Sequence, residues 1–127
     1  MIASDIMTRN VHTVRPGASA QEAARLHSQE HIGGAPVVDA NGKVIGIVTD
    51  ADIISKVNRE GLCVADIMSH EVITVDEEAT VSEITMLFVI RNIKRVPILH
   101  YGKLAGIVSR ADIVHAVAQG HLVIRSW

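Results

Sequence analysis

Gly106-Ile107-Val108-Ser109-Arg110-Ala111-Asp112 repeats an earlier stretch, Gly46-Ile47-Val48-Thr49-Asp50-Ala51-Asp52. In both, an apolar strand ending runs straight into a hydroxyl residue that opens a helix, and an Asp follows three positions later. A helix start presents unpaired backbone N–H groups and the positive end of the dipole, so it can receive an anion. The hydroxyl adds an adaptable donor and acceptor, and the carboxylate adds strong acceptors. Together they suit a ribose phosphate. Thr49-x-x-Asp52 and Ser109-x-x-Asp112 equally fit helix capping boxes, in which the carboxylate only satisfies backbone donors. Two copies at matching places, each after Gly-Ile-Val, favour a site over caps alone.

Working outward, the duplication extends along most of the chain. Asp5-Ile6-Met7 returns as Asp66-Ile67-Met68, and Ala18, Glu22, Leu26, Ile32 and Pro36 return as Ala79, Glu83, Leu87, Ile93 and Pro97. A period of about 60 residues marks an internal duplication. Each half reads β-α-β-β-α. In the first, Val11–Val14 is a strand, and Ser19-x-x-Glu22 is a capping box opening a helix to about His31. Pro36–Asp39 and Lys43–Val48 flank an Asn41-Gly42 hairpin turn. A last helix spans about Asp50 to Asn58, with Gly61 near its stop. The expected layout is one repeat over 1–58, a linker over 59–63, a second repeat over 64–120 and a tail over 121–127. A half of this size is marginal alone, so the two should share an apolar interface.

Bulk properties narrow the function. Of 127 residues, 48% are hydrophobic but only 2% aromatic, so the core must be aliphatic. The net charge of −2 and dispersed cations lack the clustered basic face that nucleic acid requires. One cysteine, Cys63, excludes an internal disulfide and fits a reducing compartment. No apolar run reaches the roughly 20 residues of a membrane span, and the N-terminus lacks a signal-peptide profile. A cytoplasmic protein is expected.

The duplicated Asp-Ile-Met opening, the Pro-Val-Val-Asp…Asn-Gly hairpin and Gly-Ile-Val-[Thr/Ser]-x-x-Asp resemble a tandem pair of CBS domains, over residues 2–118. The resemblance implies an α/β (α+β) fold: two β-α-β-β-α repeats packed as a pseudo-two-fold pair, small sheets face to face, helices outside, and two clefts between the repeats. It also implies that the clefts bind AMP, ATP, S-adenosylmethionine or a related adenosyl ligand, with no cofactor required and no catalysis. Occupancy would regulate an attached enzyme, channel or transporter, so a partner protein or a further C-terminal domain is expected. Homodimerisation is implied too. The helices near Ser19 and Thr80 carry Ala23, Leu26 and His27, and Ile84, Leu87, Phe88 and Ile90, apolar faces that one chain has few aromatics to cover. The alternative is a ligand-free pair whose work is dimerisation or docking.

Residue by residue, the resemblance places Asp52 and Asp112 at ribose hydroxyls, with Thr49 and Ser109 beside ribose or phosphate. Gly33, Gly34 and Ala35 would line the first cleft, and Lys94, Arg95 and Val96 the second. Met7 and His12 would complete the second cleft, and Met68 and Ile73 the first, their apolar parts holding the base. The halves differ in charge: Lys94, Arg95 and Arg110 stand where the first repeat has Gly33, Gly34 and Asp50. Arginine suits forked phosphate contact, so phosphate is expected to prefer the second repeat, with Asp50 repelling it from the first.

His27 and His31 stand at i, i+4 on a helix, a spacing that can chelate metal. The sequence His-Ser-Gln-Glu-His supplies no third ligand, and the repeat aligns His27 with Phe88, on the packed face. No nucleophile triad or carboxylate pair is assembled.

Overall fold

The computed structural model describes residues 1–124; of the tail expected over 121–127, positions 125–127 lie outside the described residues. In chain order the elements are α1 (Ala3–Ile6), α2 (Ala20–Glu30), β1 (Gly34–Val38), β2 (Val44–Thr49), α3 (Asp50–Ile54), α4 (Val64–Ile67), β3 (Val75–Asp76), α5 (Val81–Ile90), β4 (Arg95–His100), β5 (Lys103–Ser109) and α6 (Arg110–Ala118). They form two compact units that do not coincide with the two sequence repeats. Unit 1 joins Met1–Asn10 to the chain from Ile73 onward, and unit 2 is Val11–Val72. The opening segment of each repeat is therefore built into the unit of the other repeat's body.

In unit 1, β4 and β5 pair antiparallel and β3 lies parallel to β4. The register sets Arg95 opposite Ser109 and Val96 opposite Val108, with an irregularity between Ile98 and Leu99. The hairpin closes through Tyr101 and Gly102, both with positive φ (49° and 77°), as a two-residue turn matching strand twist requires. The opening segment is held by backbone bonds: the Ala3 N–H donates to the Ala79 carbonyl at 2.8 Å and the Ser4 N–H to Glu77 at 3.0 Å. Thr8 and Ile107 exchange N–H bonds at 2.9 and 3.0 Å. Ala3, Met7, Ile84, Phe88, Val96, Ile98 and Val108 form the core. Fully burying a side chain such as Ile84 or Ile98 contributes about 1.5–3 kcal/mol.

Unit 2 repeats the plan with smaller means. Its sheet is β1 against β2, with Gly34 opposite Thr49 and Ala35 opposite Val48. The strand expected over Val11–Val14 shrinks to one parallel bridge, Val14 to Val37. The hairpin is a longer loop in which Asp39 Oδ1 accepts from the N–H groups of Asn41 and Lys43 at 2.9 and 3.0 Å. The helix from Ser19 forms as expected: Ser19 Oγ accepts from the Glu22 N–H at 3.0 Å, and His31 ends it in the left-handed region at φ 53°. The helix expected over Asp50–Asn58 ends at Ile54. Ala116, buried in the second turn of α6, is matched by Lys56 in the first repeat, so no buried apolar side chain at that place extends α3. The 59–63 stretch is tied down rather than loose: the Ala20 N–H donates to the Leu62 carbonyl at 2.9 Å, and Leu62 packs against the core of Val14, Ala23, Val37, Val48, Val64 and Ile67.

Candidate functional site

Each strand β2 and β5 delivers its hydroxyl residue to a helix start. In unit 1, Ser109 has extended backbone and caps α6. Asp112 Oδ2 accepts from the Ser109 N–H at 2.7 Å and from Ser109 Oγ at 3.1 Å, and Ser109 Oγ faces the Asp112 N–H at 3.4 Å. Thr49 and Asp52 reproduce the box in unit 2, at 2.8, 3.0 and 3.4 Å. The capping reading is therefore realised at both positions. The capping bonds use Oδ2 of each Asp, and the half-buried carboxylates keep Oδ1 for a further donor.

Around Ser109, the Arg110 N–H donates to the Lys94 carbonyl at 3.1 Å, and Arg95 faces Ser109 across the strand pair. Unit 1 thus gathers Lys94, Arg95, Ser109, Arg110 and Asp112 at one end of its hairpin. The Arg110 side chain is committed there: Nε donates to the Ile93 carbonyl at 3.0 Å, and Nη2 lies 3.5 Å from Asn92 Oδ1. Around Thr49, the Asp50 N–H donates to Gly33 at 2.9 Å, with Gly34 opposite Thr49.

Several expected lining residues are core residues instead. Val96 and Ala35 are fully buried and Met7 is 8% exposed; all of β1 and the Val96–Ile98 stretch of β4 are buried on both faces. Met7 lies over Gly106, where an added Cβ would stand 2.5 Å from its Sδ. Met68, half-buried, does the same over Gly46 at 2.8 Å. His12 and Ile73 fall on the far side of each crossover. His12 belongs to unit 2, with Nε2 3.4 Å from Glu30, and not to the unit holding Asp112. Ile73 belongs to unit 1, packed on its core, and not to the unit holding Asp52.

Asp50 has a different occupation from the one expected. His27, 6% exposed, donates from Nδ1 to Asp50 Oδ1 at 2.8 Å, since an ionised carboxylate only accepts. Its Nε2 is buried with no partner among the described residues. Nor do three or more metal-ligating groups converge among them. Sequence reasoning set His27 on the packed face but missed Asp50, which lies 23 positions away with no periodic signal. It also missed two further Asp caps, Asp5 on the Ile2 N–H and Asp66 on the Cys63 N–H, both at 2.8 Å. The duplicated Asp-Ile-Met carried that signal. The Cys63 backbone N–H and then its thiol hold the Asp66 carboxyl below its usual range, with a smaller pull from Arg59 against slight desolvation.

A CBS domain model matches residues 3–59 and again 64–119. The chain belongs to the CBS domain family. This CBS pair is 37% identical over 116 residues to the Methanopyrus kandleri protein MK0525, covering 87% of this chain and 59% of that one. Its fold is similar to that of CBSX2 from Arabidopsis thaliana, solved in complex with AMP, with a TM-score of 0.88, 28% identity and coverage of 95% and 98% of the two chains. It is equally similar to the CBS pair of MJ0100, solved with 5′-methylthioadenosine and S-adenosylmethionine (TM-score 0.87, 29% identity, coverage 94% and 98%). No helix among the described residues is long and apolar enough to cross a membrane.

Proposed function

We propose that this CBS pair is a regulatory sensor of an adenosyl ligand and performs no catalysis itself. The observation that carries the reading is the twice-built hydroxyl–carboxylate box, whose Asp52 and Asp112 keep Oδ1 outside the capping bonds. Ribose hydroxyls are donors of the kind that oxygen accepts. The AMP and S-adenosylmethionine complexes of its structural neighbours support the same ligand class. Ser109 and Asp112 hold the sugar, Lys94, Arg95 and the helix start face phosphate, and Thr49 and Asp52 take a second adenosyl group, with Gly34 allowing close approach. Bound ligand then alters how the pair engages a regulated protein.

A thermal-shift panel of AMP, ADP, ATP, S-adenosylmethionine and NAD tests this. Ligand at 100 times its dissociation constant adds about 2.7 kcal/mol of stability. No response to any of the five overturns the reading. Asp112→Ala separates binding from capping: a lower melting point with ligand affinity intact leaves Asp112 a cap only. A second reading, association of two copies, has its own observation in the apolar side chains of α5 and α6 that stand in solvent.

A further inference from the structure

The hairpin end of unit 1 carries a groove of about 630 Å³, lined by Arg9, Glu77, His100, Tyr101, Lys103 and Leu104 among others. His100 pairs with Lys103 at this end of β4 and β5, and Arg95 pairs with Ser109 at the other. The one carboxylate of the groove is already engaged, since His100 Nδ1 donates to Glu77 Oε1. Asp76 and Glu78, beside Glu77 in sequence, do not line it. The cations are not neutralised. Arg9 Nη2 donates to the Ser4 carbonyl at 3.2 Å, and neither Arg9 nor Lys103 forms an ion pair among the described residues. Tyr101 is 90% exposed, its ring set edge to face against His100 with 4.4 Å between centroids. At the matched positions unit 2 has His70, Asp39, Asn41 and Lys43 for Arg9, His100, Tyr101 and Lys103. There Asp39 balances the charge of Lys43, and no tyrosine is present.

We propose that this hairpin end of unit 1 is a docking surface for an acidic segment of the protein that the pair regulates. This rests on the regulatory reading above and names the face that engages the partner. Two cations without counter-ions in one groove complement carboxylates, and arginine takes a carboxylate in a forked pair. Tyrosine and arginine are also among the side chains that most often carry the binding energy of protein interfaces. An exposed tyrosine adds rigid contact area at low entropic cost. The groove is built from strand ends and a turn, without the helix start that receives phosphate, which favours a carboxylate-bearing segment over a nucleotide. Two cations are too few for nucleic acid, whose affinity grows with the number of phosphates neutralised. The groove shares β5 with Ser109, so a ligand at Ser109 and a partner at Lys103 act on one strand.

Nuclear magnetic resonance titration of the full, ligand-free chain tests the assignment. The probe is a capped hexapeptide of alternating aspartate and leucine, and the control is its lysine–leucine counterpart. The acidic peptide should shift the amide signals of Arg9, Tyr101, Lys103 and Leu104, and the basic one should leave them in place. Lys103→Glu should weaken the acidic peptide about tenfold, the loss of one charge-assisted contact. Tyr101→Asn, which installs a residue suited to the positive φ of that turn, should weaken it severalfold with circular dichroism unchanged. Lys43→Glu, the matching change in unit 2, should have no effect. Shifts centred elsewhere, an equal response to both peptides, or a loss as large in Lys43→Glu overturns the surface, as does no binding of the acidic peptide at millimolar concentration. None of these outcomes alters the thermal-shift response to adenosyl ligands, whose absence would instead remove the regulatory reading.

Discussion

Unit 1 and unit 2 solve one packing position in opposite ways. On α5 and α6, unit 1 has Phe88 in the core and Arg110 reaching back to the Ile93 carbonyl. Unit 2 has His27 in the core, tied through Nδ1 to Asp50 at 2.8 Å. The two positions differ as pairs. A phenyl ring requires nothing of residue 110, which is left to bond backbone beyond α5, whereas an imidazole requires an acceptor, and Asp50 supplies it. The charge contrast between Arg110 and Asp50 thus has a structural cause in the ring that each repeat places beside it.

Exchanging the rings gives the largest effect. Phe88→His should cost about 3 kcal/mol, from lost apolar contact and a buried imidazole facing Arg110 rather than a carboxylate. His27→Phe should stay within about 1 kcal/mol of wild type, since it removes the unpartnered Nε2 and leaves Asp50, whose side chain is 59% exposed, to water. Urea unfolding measures both, and equal costs would show the pairs to be interchangeable.

Next come the glycines beneath the methionines. Gly106→Ala should destabilise by about 2 kcal/mol, because its Cβ would meet Met7 Sδ at 2.5 Å and the Thr8 carbonyl at 2.9 Å. Gly46→Ala meets Met68 Sδ and the Ser69 carbonyl at 2.8 Å and should cost slightly less. A reversed order in denaturant melts would show Met68 to be the stiffer lid.

The ligand contrast is smaller and more specific. Calorimetric titration with AMP should show one dominant site per chain, and Arg95→Ala should weaken AMP about tenfold, near the lower end of the roughly 1.5–3 kcal/mol of a charge-assisted bond. Adenosine, which has no phosphate, should be unaffected. Equal losses for both ligands would remove the preference for unit 1.

The smallest effect belongs to the Asp66 cap of unit 2. The Asp66 carboxyl is held below its usual range, so its folded pKa lies under the unfolded value of about 3.9. Its contribution is complete above that value and disappears as pH falls through the folded one. Asp66→Asn should lower the melting point slightly at pH 7, and the gap should close on acidification. A gap independent of pH would assign it to side-chain shape.

Local chemistry was legible wherever neighbours in sequence decide the outcome. Ser19 and Thr80 announce their helices because an N-cap hydroxyl and its target N–H lie three residues apart. The Gly-Ile-Val-[Thr/Ser]-x-x-Asp copies read correctly as strand into helix for the same reason. The extent of α3 was not legible, because Lys56 matches Ala116 and only tertiary packing gives that difference weight. Met7, Val96 and Ala35 were assigned to lining positions from their place in a motif, whereas their burial depends on packing over both faces of β1 and β4, which no alternation in the sequence announces. The resemblance carried Met7 to the second repeat and Met68 to the first, as the units have them, but the crossover points near residues 10 and 72, which leave His12 and Ile73 on the other side, carry no periodic signal.

Those crossovers set the order in which the protein can be completed during synthesis. Unit 2 is one continuous span, Val11–Val72, and can close while the ribosome is still adding residues. Unit 1 needs Met1–Asn10, the first part to emerge, and its bonds reach Ala79, Glu77 and finally Ile107. The earliest segment is thus the last to be docked, and its apolar Ile2, Ala3, Ile6 and Met7 stay unpaired through most of translation. Contacts this far apart in sequence form slowly, which makes the N-terminal ten residues the stretch that a folding chaperone has most reason to hold.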